Sequence, residues 1–133
     1  MARLLLHQPK TNPMQKSLLL IIVLSILIAC GSAKTTEQAL NTGNYDKAIA
    51  ISLQKLKSNK TKKGNQQYVL MLRDAFAKAV ERDEDRIEFL RKDGNPENAE
   101  EIFNLFNNLK NRQQRIKPIL PLPILSSGTT AQF

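Results

Sequence analysis

The chain has 133 residues, which is room for one small domain rather than several. Its formal net charge is +8. Three of its 20 lysines and arginines precede residue 30, and all 12 acidic residues follow it, so the residues after 30 carry a formal charge of +5. Its single cysteine, Cys30, excludes an intramolecular disulfide.

The first thirty residues are typical of a targeting segment. A short basic stretch at 14–16 precedes the apolar run SLLLIIVLSILIA at 17–29, which has signal-peptide length and is shorter than a full membrane span. We therefore interpret 14–29 as a signal peptide. Residues 1–13 then form an upstream extension, with Met14 as the true start, unless they belong to a long basic leader.

The signal peptide ends in Leu27, Ile28, Ala29 and Cys30, which resemble the lipobox of bacterial lipoproteins. The resemblance implies that the Cys30 thiol receives a diacylglycerol thioether and that signal peptidase II cuts between Ala29 and Cys30. The new amino group would then carry an N-acyl chain. Two or more acyl chains hold a protein stably on a membrane, so this lipid is the prosthetic group we expect, and we expect no other cofactor.

Residues 30–34 follow the predicted cleavage site as a flexible, lipidated tether. By resemblance to lipoproteins of diderm bacteria, Gly31 in place of aspartate implies delivery to the outer membrane rather than retention in the inner membrane. The alternative is that 18–29 stays in the membrane as an uncleaved helix. Removal of the leader also removes His7, which is the only histidine of the chain.

Residues 35–117 have apolar residues at helical spacing and no strand-like alternation, so we predict a small all-α domain. The predicted helices cover 35–40, 45–56, 66–93 and 96–116, and the sequence leaves open a break of the third helix near Asp83. Thr35 can cap the first helix, and Gly94 and Pro96 mark the junction between the last two. We interpret the aromatic residues Tyr45, Phe76, Phe103 and Phe106 as core.

Two helix starts share a weak pattern in which an alanine follows a glycine by five residues: Gly43 with Ala48, and Gly94 with Ala99. With Tyr45, the first copy resembles the second-helix half of a tetratricopeptide repeat. Ser52 and Lys55 depart from that repeat. The sequence therefore leaves two architectures open, a TPR-like helical hairpin and an ordinary short helical bundle.

Residues 118–133 contain three prolines in an apolar stretch, which predicts an extended, Pro-rich tail. Such a tail either packs along the helices or continues into more protein, and we favour continuation beyond Phe133. As a whole, the leader, the helices and this ending resemble envelope lipoproteins of the Bacteroidota. Only the lipobox part of that resemblance is specific.

Charged residues form two local groups. The basic group could contact anionic lipid or polysaccharide, although we favour its interpretation as a solvated linker; it comprises Lys55, Lys57, Lys60, Lys62 and Lys63. The acidic group, at 81–88, alternates with arginines at spacings that favour ion pairs within one solvated helix.

No nucleophile and base pair, metal-ligand cluster or phosphate-binding glycine loop is present in the sequence after residue 30. The lysines also lack the interleaved aromatics and the motif of a nucleic-acid binder. We therefore expect no catalysis, metal or nucleic acid. Two functional hypotheses follow: a membrane-anchored helical interaction or scaffold module with a protein partner, or a surface lipoprotein whose basic loop contacts anionic lipid or glycan.

Overall fold

The computed structural model describes residues 31–133, and its secondary structure is mostly helical, which confirms the predicted all-α class. The helices are α1 (31–41), α2 (Tyr45–Ser58), α3 (Gln66–Asp93) and α4 (Ala99–Ile116). Among the described residues, no helix is long and apolar enough to cross a membrane. Residues Ser32–Phe133 form one compact unit, called the helical unit below.

A tight turn joins α1 to α2. Gly43 has a φ of 76°, a left-handed conformation that glycine adopts without steric cost. Asn44 then caps α2, because its side-chain oxygen accepts a hydrogen bond of 3.3 Å from the amide of Lys47. The turn therefore sends α2 back along α1, and Ala39 and Ala48 become buried on either side of it.

The main core lies between α2 and α3, whose apolar faces contact each other along most of α2. Its largest completely or nearly completely buried apolar side chains are Ile49, Leu53, Leu56, Val69 and Leu72. These positions repeat at three- and four-residue intervals, as expected for helix faces that pack together. A short 3₁₀ helix, Lys63–Asn65, leads directly into α3.

Gly94 ends α3 with a φ of 68°, in the conformation expected for a glycine after a helix. The Asn95 side chain accepts a hydrogen bond of 3.0 Å from the amide of Glu97, and Pro96 opens the 3₁₀ helix Pro96–Asn98 before α4. The predicted junction is therefore present as a capped turn.

The C-terminal segment packs against the helices, in contrast to the extended tail that we favoured. It forms a 3₁₀ helix, Lys117–Ile119, and a small antiparallel hairpin of β1 (Pro123–Ile124) and β2 (Thr129–Thr130). Leu122 is completely buried, and the Phe133 ring lies 5.6 Å from the Phe76 ring in a T-shaped contact. Burial of its apolar residues explains why the segment folds back.

The start of the helical unit also differs from our expectation, because 31–34 are helical rather than a flexible tether. The Ser32 hydroxyl lies 2.7 Å from the Tyr68 hydroxyl, and the buried Thr36 donates a hydrogen bond to the Ser32 carbonyl. The contact between Ser32 and Tyr68 connects the beginning of α1 to the beginning of α3.

The two copies of the glycine and alanine pattern are equivalent only at the glycine. Gly43 and Gly94 both have positive φ and follow helices. Ala48, however, is completely buried, whereas Ala99 is exposed. The repeated pattern therefore encodes two similar turns rather than two similar helix contacts.

Candidate functional site

The predicted lipidation site and its recognition residues, Leu27, Ile28, Ala29 and Cys30, lie outside the described residues. The structure does describe the chain from Gly31 onward. Ser32, two residues after Cys30, lies beside Tyr68 at the start of α3.

The five lysines of the predicted basic group lie together where α2 ends and α3 begins. Lys55 and Lys57 are in the last turn of α2, and the others lie on the connection to α3. Lys57, Lys62 and Lys63 are exposed. The Lys60 ammonium instead donates a hydrogen bond of 3.1 Å to the Ile119 carbonyl, which ties the connection to the C-terminal segment.

The backbone of this connection is held by side chains rather than left as an irregular linker. The Asn59 side-chain oxygen accepts hydrogen bonds from the amides of Thr61 and Lys62, at 3.1 and 3.0 Å. The Asn65 side chain donates to the carbonyls of Asn59 and Lys55, at 2.7 and 3.2 Å. The lysines are thus presented by a loop with a defined conformation.

The α3–α4 hairpin carries three exposed aromatic side chains, Phe89 on α3 and Phe103 and Phe106 on α4, with exposed fractions of 61%, 65% and 44%. Phe103 and Phe106 are three residues apart on the same exposed side of α4, and we call this pair the aromatic face. The prediction that Phe103 and Phe106 belong to the core is therefore wrong, whereas Phe76 is buried as predicted and Tyr45 packs against the core from its edge. The physical reason is that α4 packs mainly on α3, and only Arg112 and Ile116 of α4 are buried.

Two arginines of α3 contact exposed rings of the hairpin. The Arg86 guanidinium lies 5.3 Å from the centre of the Phe89 ring, and that of Arg91 lies 5.5 Å from the centre of the Phe106 ring. Arg86 also forms an ion pair with Glu101 of α4 at 2.8 Å. These cation–π and ionic contacts, each modest at an exposed site, orient the rings beside the α3–α4 contact.

A buried arginine fixes the other half of α4. The Arg112 side chain is only 4% exposed, and it donates to Asp83 of α3 at 2.5 Å and to Asp46 of α2 at 2.7 and 3.1 Å. Arg82 adds an ion pair to Asp83 at 2.9 Å. Arg112 therefore joins α4 to both α2 and α3, and it holds the helix from which the aromatic face projects.

The electrostatics of this cluster follow from its geometry. The hydrogen bonds from Arg112 lower the pKa of Asp46 below its ordinary value of 3.8, against the opposing effect of partial burial. In turn, the bond to Asp46 raises the pKa of Arg112. Both groups are therefore charged at neutral pH.

The acidic group is a solvated helix face, as predicted, except at Asp83, and not all of its ion pairs lie inside one helix. Asp83 is buried and pairs with Arg112, and Arg86 pairs across to α4 rather than along α3. Glu88 does pair with Lys92 in the same helix. A sequence signal was present, because Asp83 and Arg112 each occupy a position on the apolar stripe of their helices where a leucine or isoleucine would be expected.

A polar cleft of about 520 Å³ lies between the start of α2 and the second half of α4. It is lined by Asp46, Arg112, Arg115, Asn108, Asn111 and Gln114. Arg112 is already engaged by two carboxylates, so its charge is compensated within the helical unit. The cleft therefore lacks a buried, uncompensated cation of the kind that selects an anion.

No known protein family, curated protein or solved structure matches the chain. Its function is therefore inferred from the surfaces of the helical unit and from the motif that precedes it.

Proposed function

We propose that the chain is a lipid-anchored protein of the bacterial cell envelope that works as a helical interaction module. The lipobox-like sequence at 27–30 supports the anchor. The observation that carries the interaction is the aromatic face, where Phe103 and Phe106 are 65% and 44% exposed on one side of α4. Exposed clusters of large apolar side chains are typical of surfaces that bind another protein.

The partner that fits this face is a second copy of the chain. The exposed side of α4 carries Glu100 near its beginning and Lys110 beyond its middle, on either side of Phe103 and Phe106. An antiparallel contact between two α4 helices, centred on the two phenylalanines, places Glu100 of each copy close to Lys110 of the other. The same patch then serves both copies, as in a two-fold symmetric dimer.

Membrane attachment favours such pairing, because anchored chains share a surface and their effective concentration rises. Burial of the phenylalanines supplies the main driving force, since an aromatic side chain can remove about 150–250 Å² from water. The charges of Glu100 and Lys110 select the antiparallel orientation. The envelope protein would thus act as a self-associating scaffold.

Sedimentation equilibrium of the purified chain in density-matched detergent tests this proposal. We expect a dimer, and we expect Phe103→Ser with Phe106→Ser to weaken it at least about tenfold, as for central interface residues. Phe89→Ser is the matched control, because it removes an exposed phenylalanine of the same hairpin outside the aromatic face. Glu100→Lys or Lys110→Glu alone should weaken the dimer, and the two together should restore it.

A monomer at every concentration would contradict self-pairing. A photo-crosslinker at position 103 then separates two outcomes. Crosslinking to one different envelope protein, abolished by Phe106→Ser, would retain the interaction module and replace its partner. A monomer without any crosslinked protein would contradict the interaction function itself.

A further inference from the structure

We infer that the end of the helical unit where α2 meets α3 is a second binding site, which lies directly on an anionic lipid bilayer. The site combines the five lysines with three exposed leucines, and we call it the membrane-facing end. Its members are Lys55, Lys57, Lys60, Lys62, Lys63, Leu70, Leu120 and Leu125. Its orientation toward a membrane agrees with the proposed lipid anchor, but its chemistry is independent of that anchor.

Folding brings together two segments that are distant in sequence. Lys60 bonds to the Ile119 carbonyl at 3.1 Å, and the Gln66 side chain accepts a hydrogen bond of 2.9 Å from the Leu125 amide. The C-terminal hairpin is thereby held beside the lysine loop. A surface with both charge and apolar side chains results, although each segment alone carries mainly one of the two.

The charge of this end is strongly one-sided. The sequence contains no aspartate or glutamate from Lys47 to Arg73, and none after Glu101. The nearest acids along the chain are Asp46 at the start of α2 and Asp74 on α3, and each is paired with an arginine: Asp46 with Arg112 at 2.7 Å and Asp74 with Arg73 at 3.1 Å. Lysines close to a membrane are attracted to anionic lipid, so the charge complements a bilayer that contains phosphatidylglycerol.

The apolar part of the surface fits the interfacial region of a bilayer. Leu70, Leu120 and Leu125 are 40%, 36% and 51% exposed. A mainly apolar groove of about 430 Å³ lies between α3 and the hairpin, with Leu70 and Leu125 in its walls and Lys63 at its edge. Leucines that enter the acyl boundary while lysines contact phosphates are the two components of interfacial membrane binding.

The beginning of the helical unit lies at the same end. The Ser32 hydroxyl is 2.7 Å from the hydroxyl of Tyr68, the third residue of α3. Cys30 precedes Ser32 by two residues, so a lipid on Cys30 would attach within about 8 Å of chain from this end, at 3.8 Å per residue. The anchor and the membrane-facing end would therefore contact the same bilayer.

Fluorescence quenching in vesicles tests the inference with the full chain. In a Cys30→Ala background, a fluorophore is attached to Leu125→Cys or, as the control position, to Lys92→Cys. Lys92 lies 26 residues after Gln66 on α3, about 39 Å away at 1.5 Å per residue. Vesicles contain brominated lipid together with either phosphatidylglycerol or phosphatidylcholine alone. The quenching of the fluorophore by bromine and the fraction of protein bound to the vesicles are both measured. The Cys30→Ala background removes lipidation but retains the apolar leader. Binding through the leader does not depend on lipid charge, so the difference in quenching between the two lipids reports the lysines and not the proposed anchor.

We expect quenching at Leu125→Cys to be at least about threefold stronger in phosphatidylglycerol vesicles than in phosphatidylcholine vesicles, because the attraction is ionic. At Lys92→Cys we expect little quenching in either. Lys62→Glu with Lys63→Glu should remove the difference, whereas Lys47→Glu with Lys78→Glu, which changes the net charge equally, should preserve it.

Three results would overturn the inference: no quenching at Leu125→Cys, equal quenching at the two positions, or equal quenching in the two lipids. Retention on an acidic polysaccharide without quenching at Leu125→Cys would assign the lysines to glycan instead. If the inference holds but Cys30 proves unmodified, the membrane-facing end stands and the proposed anchor fails.

Discussion

Arg112 and Asp83 form a buried ion pair whose partners come from different helices. Each side chain is at most 4% exposed, so both charges have lost most of their hydration. Such a pair adds little net stability compared with well-packed apolar residues, but loss of one partner leaves an uncompensated buried charge. The role of this pair is to fix the position of α4, because the forked guanidinium bonds to carboxylates of two other helices at once.

Substitution of Arg112 by methionine should therefore lower the free energy of unfolding by about 3 kcal/mol. Asp83 keeps Arg82 as a partner, which moderates the loss. Urea denaturation followed by circular dichroism measures the change, with Arg115→Met as the exposed control, expected within about 0.5 kcal/mol of wild type. Addition of Asp83→Leu to Arg112→Met should recover most of the loss, and a double variant as unstable as the single one would contradict this account.

The lowered pKa of Asp46 predicts how the stability depends on acid. The folded-state pKa lies below the ordinary 3.8, so the ionised carboxylate stabilises the fold above that value. This contribution is lost as the pH falls through the folded-state pKa, and Asp46→Asn should flatten the dependence there. Denaturation midpoints between pH 2 and pH 5 measure the effect, and an unchanged slope in Asp46→Asn would contradict it.

At the scale of elements, the turn between α3 and α4 depends on the left-handed conformation of Gly94. A Cβ at Gly94 would meet no atom within 4 Å, so the cost of alanine there comes from the left-handed backbone conformation and not from a clash with a neighbouring atom. Gly94→Ala should reduce the unfolding free energy by about 1 kcal/mol. Gly64→Ala is the control, since Gly64 also has open space but no positive φ, and an equal loss in both variants would disprove the argument.

The sequence predicts the helices better than it predicts their contacts. The bounds expected for the long helix, 66–93, are those of α3, because local signals mark both ends: a polar loop before it and Gly94 after it. The exposure of Phe103 could not be predicted, since the apolar stripe of α4 looks the same whether or not another element covers it. The folding back of the C-terminal segment depends on long-range contacts such as Phe133 with Phe76, which leave no local pattern.

At the scale of the whole helical unit, two different surfaces lie toward opposite ends of α3. The lysines and leucines lie near the beginning of α3. The aromatic face lies on α4, shortly after the turn that follows the end of α3. The 28 residues of α3 span about 42 Å. An anchor next to Ser32 would therefore hold the first surface at the bilayer and present the second away from it.

Of the candidate sites, sequence alone provides the lipobox and the lysines, because both are local in the chain. It does not provide the leucines that accompany the lysines, since Leu120 and Leu125 reach them through long-range bonds, from Lys60 to Ile119 and from Leu125 to Gln66. The ion-pair network around Arg112 was not predicted from the sequence, although a charged residue on the apolar stripe of a helix indicates a buried, paired charge.

The central claim is that this chain is held at a membrane by lipid on Cys30, and the most direct measurement is the mass of the mature N-terminus. We predict that protein extracted from the membranes of a diderm bacterial host begins at Cys30 and carries a diacylglyceryl group and an N-acyl chain. The Cys30→Ala variant should retain its leader and lack both groups. A wild-type chain that still begins at Met1 or Met14, with an unmodified Cys30 thiol, would contradict the claim.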